Sequence, residues 1–438
     1  MFVRSTLTGR LMHRLSDEPM ITIPFSYCVG GSLSWNDSTY VKRAADDELY
    51  SAIEQRAFSY VFGPRQIGKS SLRIRMRHRL TQQGYRCVSL QANQLCSPSK
   101  ALRFPSASFS QKRQPQALTD QPLDPQEQGV STLIAALWAD LNLAQIAPLR
   151  PWLEATASLS PQVRLERFGN DFLVDKLLKT PVVVFIDEVD ALLGIPFLAS
   201  LLQWIGCCDR LRQTEAAYNN LTFVLLGTTT SADLVQSVSA LPTASQTTAT
   251  NGVVTQSLEE KTFDLFTSGC QICIKPFQLI ETFSLHQGFE EKIDDPTMPL
   301  KAIFRWTHGQ PFLTQKICHI ASNLIDTLVR PSSQPIVLSS KIVNSWMDSL
   351  VRSHIIKNWP TQDTPVHLRA IRDRLIYSPN SKSLLALYKT VYTGNPVLVD
   401  GSSLQAELLL TGIVDIVDDH LKITNRIYRE VFSIKSPI

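Results

Sequence analysis

The chain has 438 residues, and no run in it approaches the roughly 20 apolar residues of a membrane-spanning helix, so no membrane span is expected. It also lacks an excess of either charge. Lys and Arg number 43 against 39 Asp and Glu. The net +4 falls well short of the dense basic surface of a protein that lives on nucleic acid. A cysteine framework is missing too. Cysteines 28, 87, 96, 207, 208, 270, 273 and 318 are scattered, which excludes a small disulfide-stapled fold and points to a reducing cytosol. Cys270 and Cys273 form a lone CxxC without a second ligand pair, so two thiols on a strand read better than zinc. Residues 1–19 hold Arg4, Arg10 and Arg14 but no apolar core of a secretory signal. Residues 1–26 therefore read as a flexible tail, with Met20 a second candidate start.

What is present is an ordinary globular composition, 44% hydrophobic and 19% charged, in a length suited to two or three domains. Residues 58–62 are a short apolar run that reads as a buried strand. A helix is expected over 69–83, where Leu72, Met76 and Leu80 recur at i, i+4, i+8. A strand is expected at 85–92, helices at 130–143 and 162–178, and a fully covered strand at 182–186. A helix at 195–214 and strands at 222–227 and 270–276 complete this part. Strands alternating with helices imply a parallel α/β sheet. Two stretches break the rhythm, 96–129 with its prolines and 237–257 with its Ser, Thr and Gln. Both read as disordered insertions.

From 279 the pattern turns helical, with helices expected at 298–307, 310–326, 339–357, 364–376, 381–393 and 402–411. Segments 413–417 and 421–424 flank Asp418-Asp419-His420 as a hairpin, and helix–helix–hairpin suggests a winged helix.

Gly63-Pro64-Arg65-Gln66-Ile67-Gly68-Lys69-Ser70 fits G-x-x-x-x-G-K-[ST] without mismatch, between a predicted strand and a predicted helix. Glycines let successive backbone N–H groups turn inward as an anion nest, and the helix that follows aims its positive end at the same place. Lys69 supplies a compact charge for the β- and γ-phosphates, and Ser70 a hydroxyl for Mg²⁺. The run 182–186 then ends in Asp187-Glu188, the Walker B form. Asp187 is expected to orient waters on the metal and Glu188 to polarise the attacking water. Asp190 reads as a helix N-cap. After the strand at 222–227, Thr228 or Thr229 is a candidate sensor of the γ-phosphate, against an ordinary turn or a helix cap from Ser231 or Asp233.

These stretches carry a resemblance to the bacterial AAA-like domain proteins, P-loop ATPases close to the STAND signalling ATPases and to origin-recognition-type AAA+ proteins. The matching segments are Gly30-Gly31-Ser32-Leu33, Ser38-Thr39-Tyr40-Val41-Lys42-Arg43 with Ala45-Asp46, and Arg65 through Ser70 with Ser71-Leu72. Further along they are Phe185-Ile186-Asp187-Glu188-Val189-Asp190, Gly309-Gln310-Pro311-Phe312-Leu313-Thr314-Gln315 and Asn425-Arg426-Ile427-Tyr428. Together they cover about 27–433. The resemblance implies a P-loop core at 27–278, a helical lid at 279–335, and a helical linker with a winged helix at 336–438. It places Tyr40, Val41 and Arg43 beside the adenine, packs Pro311 of a Gly-x-Pro motif on the base, and has the winged helix close over ATP or ADP. Gly309 and Pro311 also read as plain helix punctuation.

The chain departs from the family at Ser268-Gly269-Cys270-Gln271, where relatives carry a basic residue, so no trans-acting arginine finger is evident. Such a finger contributes about 10³–10⁵ in rate. A slow ATPase serving as a nucleotide-dependent switch is the expectation. With no sensor or repeat module alongside the match, its partner is expected to be a separate protein or a second copy. A DNA-associated ATPase is the alternative, disfavoured because 402–411 contains no Lys or Arg and does contain Glu407. Arg73, Arg75, Arg77 and Arg79 read as a solvent-facing run. A binder that never hydrolyses is a third reading, opposed by the complete set Lys69, Ser70, Asp187 and Glu188.

Overall fold

The structure is a computed structural model that describes residues 25–95, 124–174, 180–240, 257–290, 292–329 and 339–434. Five strands form one sheet: β1 (Ser59–Phe62), β2 (Arg86–Gln91), β3 (Val182–Asp187), β4 (Leu221–Gly227) and β5 (Cys270–Gln271). Their order is β2-β3-β4-β1-β5, and every pairing is parallel. Both faces are covered, and the strand sequences show why. Along β3, Val182, Val184 and Ile186 join one apolar cluster while Val183 and Phe185 join the other, as period-two alternation requires. The first cluster takes Phe197, Leu201 and Trp204 from helix Phe197–Leu211 and Leu133 and Leu137 from helix Pro125–Asp140. The second takes Leu49 and Ile53 from α1 (Ala44–Glu54) and Leu72, Met76 and Leu80 from α2 (Lys69–Gln82). A parallel sheet buried on both sides, with a Gly-rich loop leading from β1 into α2, is a P-loop nucleoside-triphosphatase fold.

A third cluster holds the rest of the chain. Tyr27, Val41 and Phe277 share it with Trp306, Phe312, Met347, Leu375, Tyr388, Tyr428 and Phe432. The leading segment, the lid helices Thr297–Thr307 and Pro311–Val329, and the C-terminal helices are thus sealed around one core. Gly309 is essential to this seam. Its φ is +75°, and an added Cβ would lie 2.0 Å from the Phe277 carbonyl oxygen. The Phe277 amide in turn donates to the Gly309 carbonyl at 2.8 Å. Pro311 opens the next helix. Helices Leu368–Tyr377, Ser381–Tyr392 and Ser403–Thr411 lead to an antiparallel hairpin, β6 (Val414–Val417) and β7 (His420–Ile423). Asp418 and Asp419 turn it at φ +51° and +57°, the positive pair a two-residue hairpin needs.

Several sequence expectations need correction. The 96–129 insertion is too long, because a helix begins at Pro125, where the missing proline N–H costs nothing. Its remainder, 96–123, lies outside the described residues, as do 241–256 of the second insertion and 1–24 of the tail. Ser237, Val238 and Ser239 belong to helix Ser231–Ser239. The helix expected at 162–178 is Pro161–Phe168, followed by a wider turn over Gly169–Val174. The 270–276 strand pairs only at Cys270–Gln271, because the chain then leaves the sheet to bond the lid through Phe277. The 364–376 helix starts at Leu368, since the Asp363 carboxylate accepts the His367 and Arg369 amides at 2.9 and 2.8 Å and holds the preceding turn open. Among the described residues no helix is long and apolar enough to cross a membrane. No His/Cys/Asp/Glu group among them could hold a metal by itself, and Cys273 is exposed beyond β5.

Candidate functional site

The site lies outside the carboxyl ends of β1, β3 and β4, where α/β sheets of this kind bind ligands. Phe62 at the end of β1 pairs with Gly227 at the end of β4, and the Gly63 amide donates to the Gly227 carbonyl at 3.2 Å. The loop then curls through Gln66 (φ +59°) and Gly68 (φ +104°) before α2 starts at Lys69. Gly68 is required for space as well as conformation, because a Cβ there would meet Arg43 Nη2 at 2.6 Å. Arg43 braces the loop from behind. Its Nη1 donates to the Ile67 carbonyl at 2.7 Å, and its guanidinium lies over the Phe277 ring.

Lys69 Nζ donates to the carbonyls of Gly63 and Pro64 at 2.8 and 2.7 Å and to Thr228 Oγ1 at 3.2 Å. Burial pushes its ammonium down to about 8, with Asp190 and Asp187 resisting the shift. Lys69 makes no ion pair among the described residues, so a half-buried cation lines the hollow with only neutral hydrogen-bond partners. The Ser70 hydroxyl beside it is likewise uncommitted among the described residues.

Asp187 closes β3 and is 2% exposed. Its Oδ1 accepts the Glu188 amide at 3.0 Å and its Oδ2 accepts Arg73 Nε at 3.1 Å. Arg73 is therefore not a solvent-facing residue. It is buried, reaches Ser89 on β2 as well, and ties α2 to two strands. Arg75 and Arg79 are also engaged, over the Tyr40 and Tyr50 rings, and the exposed Arg77 best fits the expected solvent run.

Glu188 sits at φ +59°, a costly conformation for a residue with a Cβ. Its Oε2 accepts Asn93 Nδ2 at 2.8 Å. Asp190 does not cap a helix of its own; its Oδ1 accepts the Thr228 amide at 2.8 Å. Thr228 is thus fixed between Asp190 and Lys69. Thr230 caps the following helix with Asp233 as its reciprocal partner, a role expected of Ser231 or Asp233. The Thr229 hydroxyl turns to the Thr230 carbonyl and Asp233, away from Lys69.

A cavity of about 700 Å³ joins these groups to the lid, within the range of small-molecule sites. Gly68, Lys69, Ser70, Ser71, Asp187, Glu188 and Thr228 line one end. Tyr40, Val41, Phe277, Pro311, Phe312 and Gln315 line the other, with Arg65 and Gln66 along the wall. The structure therefore brings most of the sequence-expected residues around one space, while Gly63, Pro64 and Ile67 belong to the loop but not to the lining of the cavity.

Three neighbours carry no motif in the sequence, Arg73, Asn93 and Arg374, while Gln315 closes the lid segment of the resemblance without an assigned role. Arg374 lies on the C-terminal helix Leu368–Tyr377, half-buried, with Nη2 3.5 Å from the Thr228 carbonyl. It is one helical turn beyond Ala370, which lines the cavity. Burial lowers its pKa, opposed chiefly by Asp190.

No protein-family model matches the sequence. The chain is similar to an uncharacterized WD repeat-containing protein of Synechocystis, 32% identical over 409 residues. The match covers 93% of this chain and 30% of that relative, so the chain spans under a third of the relative's length. Among solved structures it is similar to a Walker-type ATPase of Pyrococcus abyssi, with 14% identity, 93% of this chain and 99% of that one covered, and TM-score 0.46. The ORC2 protein of Aeropyrum pernix in ADPNP–ADP complexes matches at 12% identity, 93% and 98% coverage and TM-score 0.41. The Drosophila ORC bound to DNA matches at 12% identity, 91% and 88% coverage and TM-score 0.39.

Proposed function

We propose that this chain binds ATP with Mg²⁺ and hydrolyses it slowly, as a nucleotide-dependent conformational switch. One observation carries the reading: the half-buried Lys69 ammonium, without an ion pair among the described residues, shares a cavity with an oxygen pair suited to a metal and with a lid. The donor set fits Mg²⁺. The Ser70 hydroxyl and the Asp187 carboxylate are hard oxygens of the type that ion takes, and both line the same cavity. Bound there, the ion would neutralise phosphate charge.

In this reading the loop amides of residues 65–70 and the Lys69 ammonium hold the β- and γ-phosphates. Asp187, steadied by Arg73, orients metal-bound waters. Glu188 takes the proton of the attacking water. Thr228, placed by Asp190, reports the terminal phosphate. Tyr40, Val41, Arg43 and Pro311 enclose the base.

The switch rests on contacts between the loop and the C-terminal elements. Gln66 Nε2 donates to the Val366 carbonyl at 3.2 Å, and Gln310 Nε2 reaches the Gln66 carbonyl at 3.4 Å. A Cβ on Gly412 would lie 3.1 Å from Pro64 Cβ. Nucleotide at the loop and closure of the C-terminal body are thereby coupled, since a ligand shifts a conformational equilibrium only through differential contacts. The helices 381–392 and 403–411 with the β6–β7 hairpin serve as a winged helix in this scheme.

The DNA-associated alternative finds little support. Glu407 on helix Ser403–Thr411 is tied to Ser378 and Asn380, and the hairpin tip is Asp418-Asp419. Phosphate contacts need cations. A protein partner or self-assembly is the proposal, and the WD repeats in the longer relative's name fit a module that works within a larger assembly. The test is ATP turnover by the purified chain with and without duplex DNA. Slow turnover, unchanged by DNA, is expected; stimulation by about tenfold or more, the scale of a 1.4 kcal/mol change in barrier, would favour the DNA reading.

A further inference from the structure

The loop end of the cavity gathers more positive charge than its neighbours answer. Arg65 stands exposed on the loop, Lys69 follows where α2 begins, and Arg374 approaches from the helix Leu368–Tyr377 of the C-terminal body. None of the three makes an ion pair among the described residues. They also feel one another: Arg65 and Arg374 both oppose the charge on Lys69, and Arg65 opposes that on Arg374. The acids nearby are already engaged. Asp190 gives Oδ1 to the Thr228 amide, Asp187 holds Arg73, and Asp233 accepts the Thr230 amide. Glu407 is held by Ser378 and Asn380. Crowded like charges without a counter-ion are costly, and an anion placed among them relieves the cost. Arg374 is the member of the set with the most to offer. Its guanidinium carries five donors, and its hydrogen bond to the Thr228 carbonyl is long, at 3.5 Å. The Thr228 hydroxyl lies 3.2 Å from Lys69 Nζ, so one residue separates the two cations. Val366 and Ala370, from the same part of the C-terminal body, line the cavity itself. A half-buried arginine at this edge can turn inward without breaking a strong contact.

We propose that Arg374 donates to an oxygen of the terminal phosphate of ATP, reaching it from the C-terminal body of the same chain. The contact forms with ATP and is missing with ADP, which ends one phosphate short. It therefore gives the coupling of loop and body a physical origin, since a ligand shifts a conformational equilibrium only through contacts that differ between states. It also supplies in cis a charge of the kind for which 268–271 shows no source in trans. The inference rests on the nucleotide-binding reading above and names the residue through which the body detects the third phosphate.

The probes are ADP and a non-hydrolysable ATP analogue, each with Mg²⁺, competing against a fluorescent nucleotide on the full chain. Their affinities are compared in the unaltered protein, in Arg374→Gln and in Arg374→Lys. The glutamine keeps an N–H for the Thr228 carbonyl and loses the charge. In Arg374→Gln the analogue should bind about tenfold more weakly or worse, the scale of a hydrogen bond to a charged group, while ADP stays within about twofold. Arg374→Lys keeps the charge without the fork and should recover part of that loss. It also serves as the test if the glutamine variant does not fold. An arginine that merely steadies the body against Thr228 would weaken ADP and the analogue alike. Equal weakening of the two, or no change in either, overturns the proposal. If the unaltered chain binds neither nucleotide, the ATP reading itself fails.

Discussion

Lys69→Ala is expected to abolish ATP-dependent protection against heat. For a site occupied at about 100 times its dissociation constant, bound ligand stabilises by about 2.7 kcal/mol, which shifts the midpoint of a domain-sized unit by about 5 °C. The variant should show a shift of less than about 1 °C at the same ATP concentration. Lys69 is the loop's half-buried cation, and its present partners are two carbonyls and the Thr228 hydroxyl. None of these can replace it opposite a phosphate. The variant should nevertheless fold, because the surroundings already oppose the charge, as the lowering of its pKa to about 8 shows. Intact ATP stabilisation in a folded Lys69→Ala protein would remove the loop from the account. Differential scanning fluorimetry with and without ATP decides it.

Glu188→Gln separates chemistry from binding. The amide keeps the size of the side chain and can still bond Asn93, so nucleotide affinity should stay within about twofold of the unaltered chain. Turnover should fall by about 10²–10⁴, the usual contribution of a positioned general base. Glu188 holds a left-handed backbone at the end of β3 and is steadied by Asn93 at 2.8 Å, an arrangement that fixes the carboxylate beside the cavity. Single-turnover measurement of phosphate release checks the prediction. Equal turnover in the variant would move the base elsewhere, with Asp190 the next carboxylate on the cavity wall.

The parts of the site legible in the sequence are those whose chemistry is local. Gly63 through Ser70 must be contiguous to curl around an anion, and Val182 to Asp187 must be a covered strand ending in an acid. Both therefore leave a motif. Arg73 left none. Four arginines at 73, 75, 77 and 79 look like a solvated run, but position 73 is one turn beyond Lys69 and so shares its inward face. Arg374 was silent for a different reason. It reaches the site from a helix far along the chain, and only the third apolar cluster, which binds the leading segment to the lid and C-terminal helices, brings it there.

Composition misled at Pro125, where a proline that seemed to mark disorder opens a helix. Periodicity misled at 270–276, because an apolar run cannot show where a strand leaves its sheet.

Nucleotide at the loop is expected to set the position of the C-terminal body. Small-angle X-ray scattering on one preparation, first with ADP and then with a non-hydrolysable ATP analogue and Mg²⁺, decides it. A change in radius of gyration or in assembly between the two states, absent in Lys69→Ala, is expected. Superimposable profiles in ADP and in the analogue, with both nucleotides shown to be bound, would contradict it.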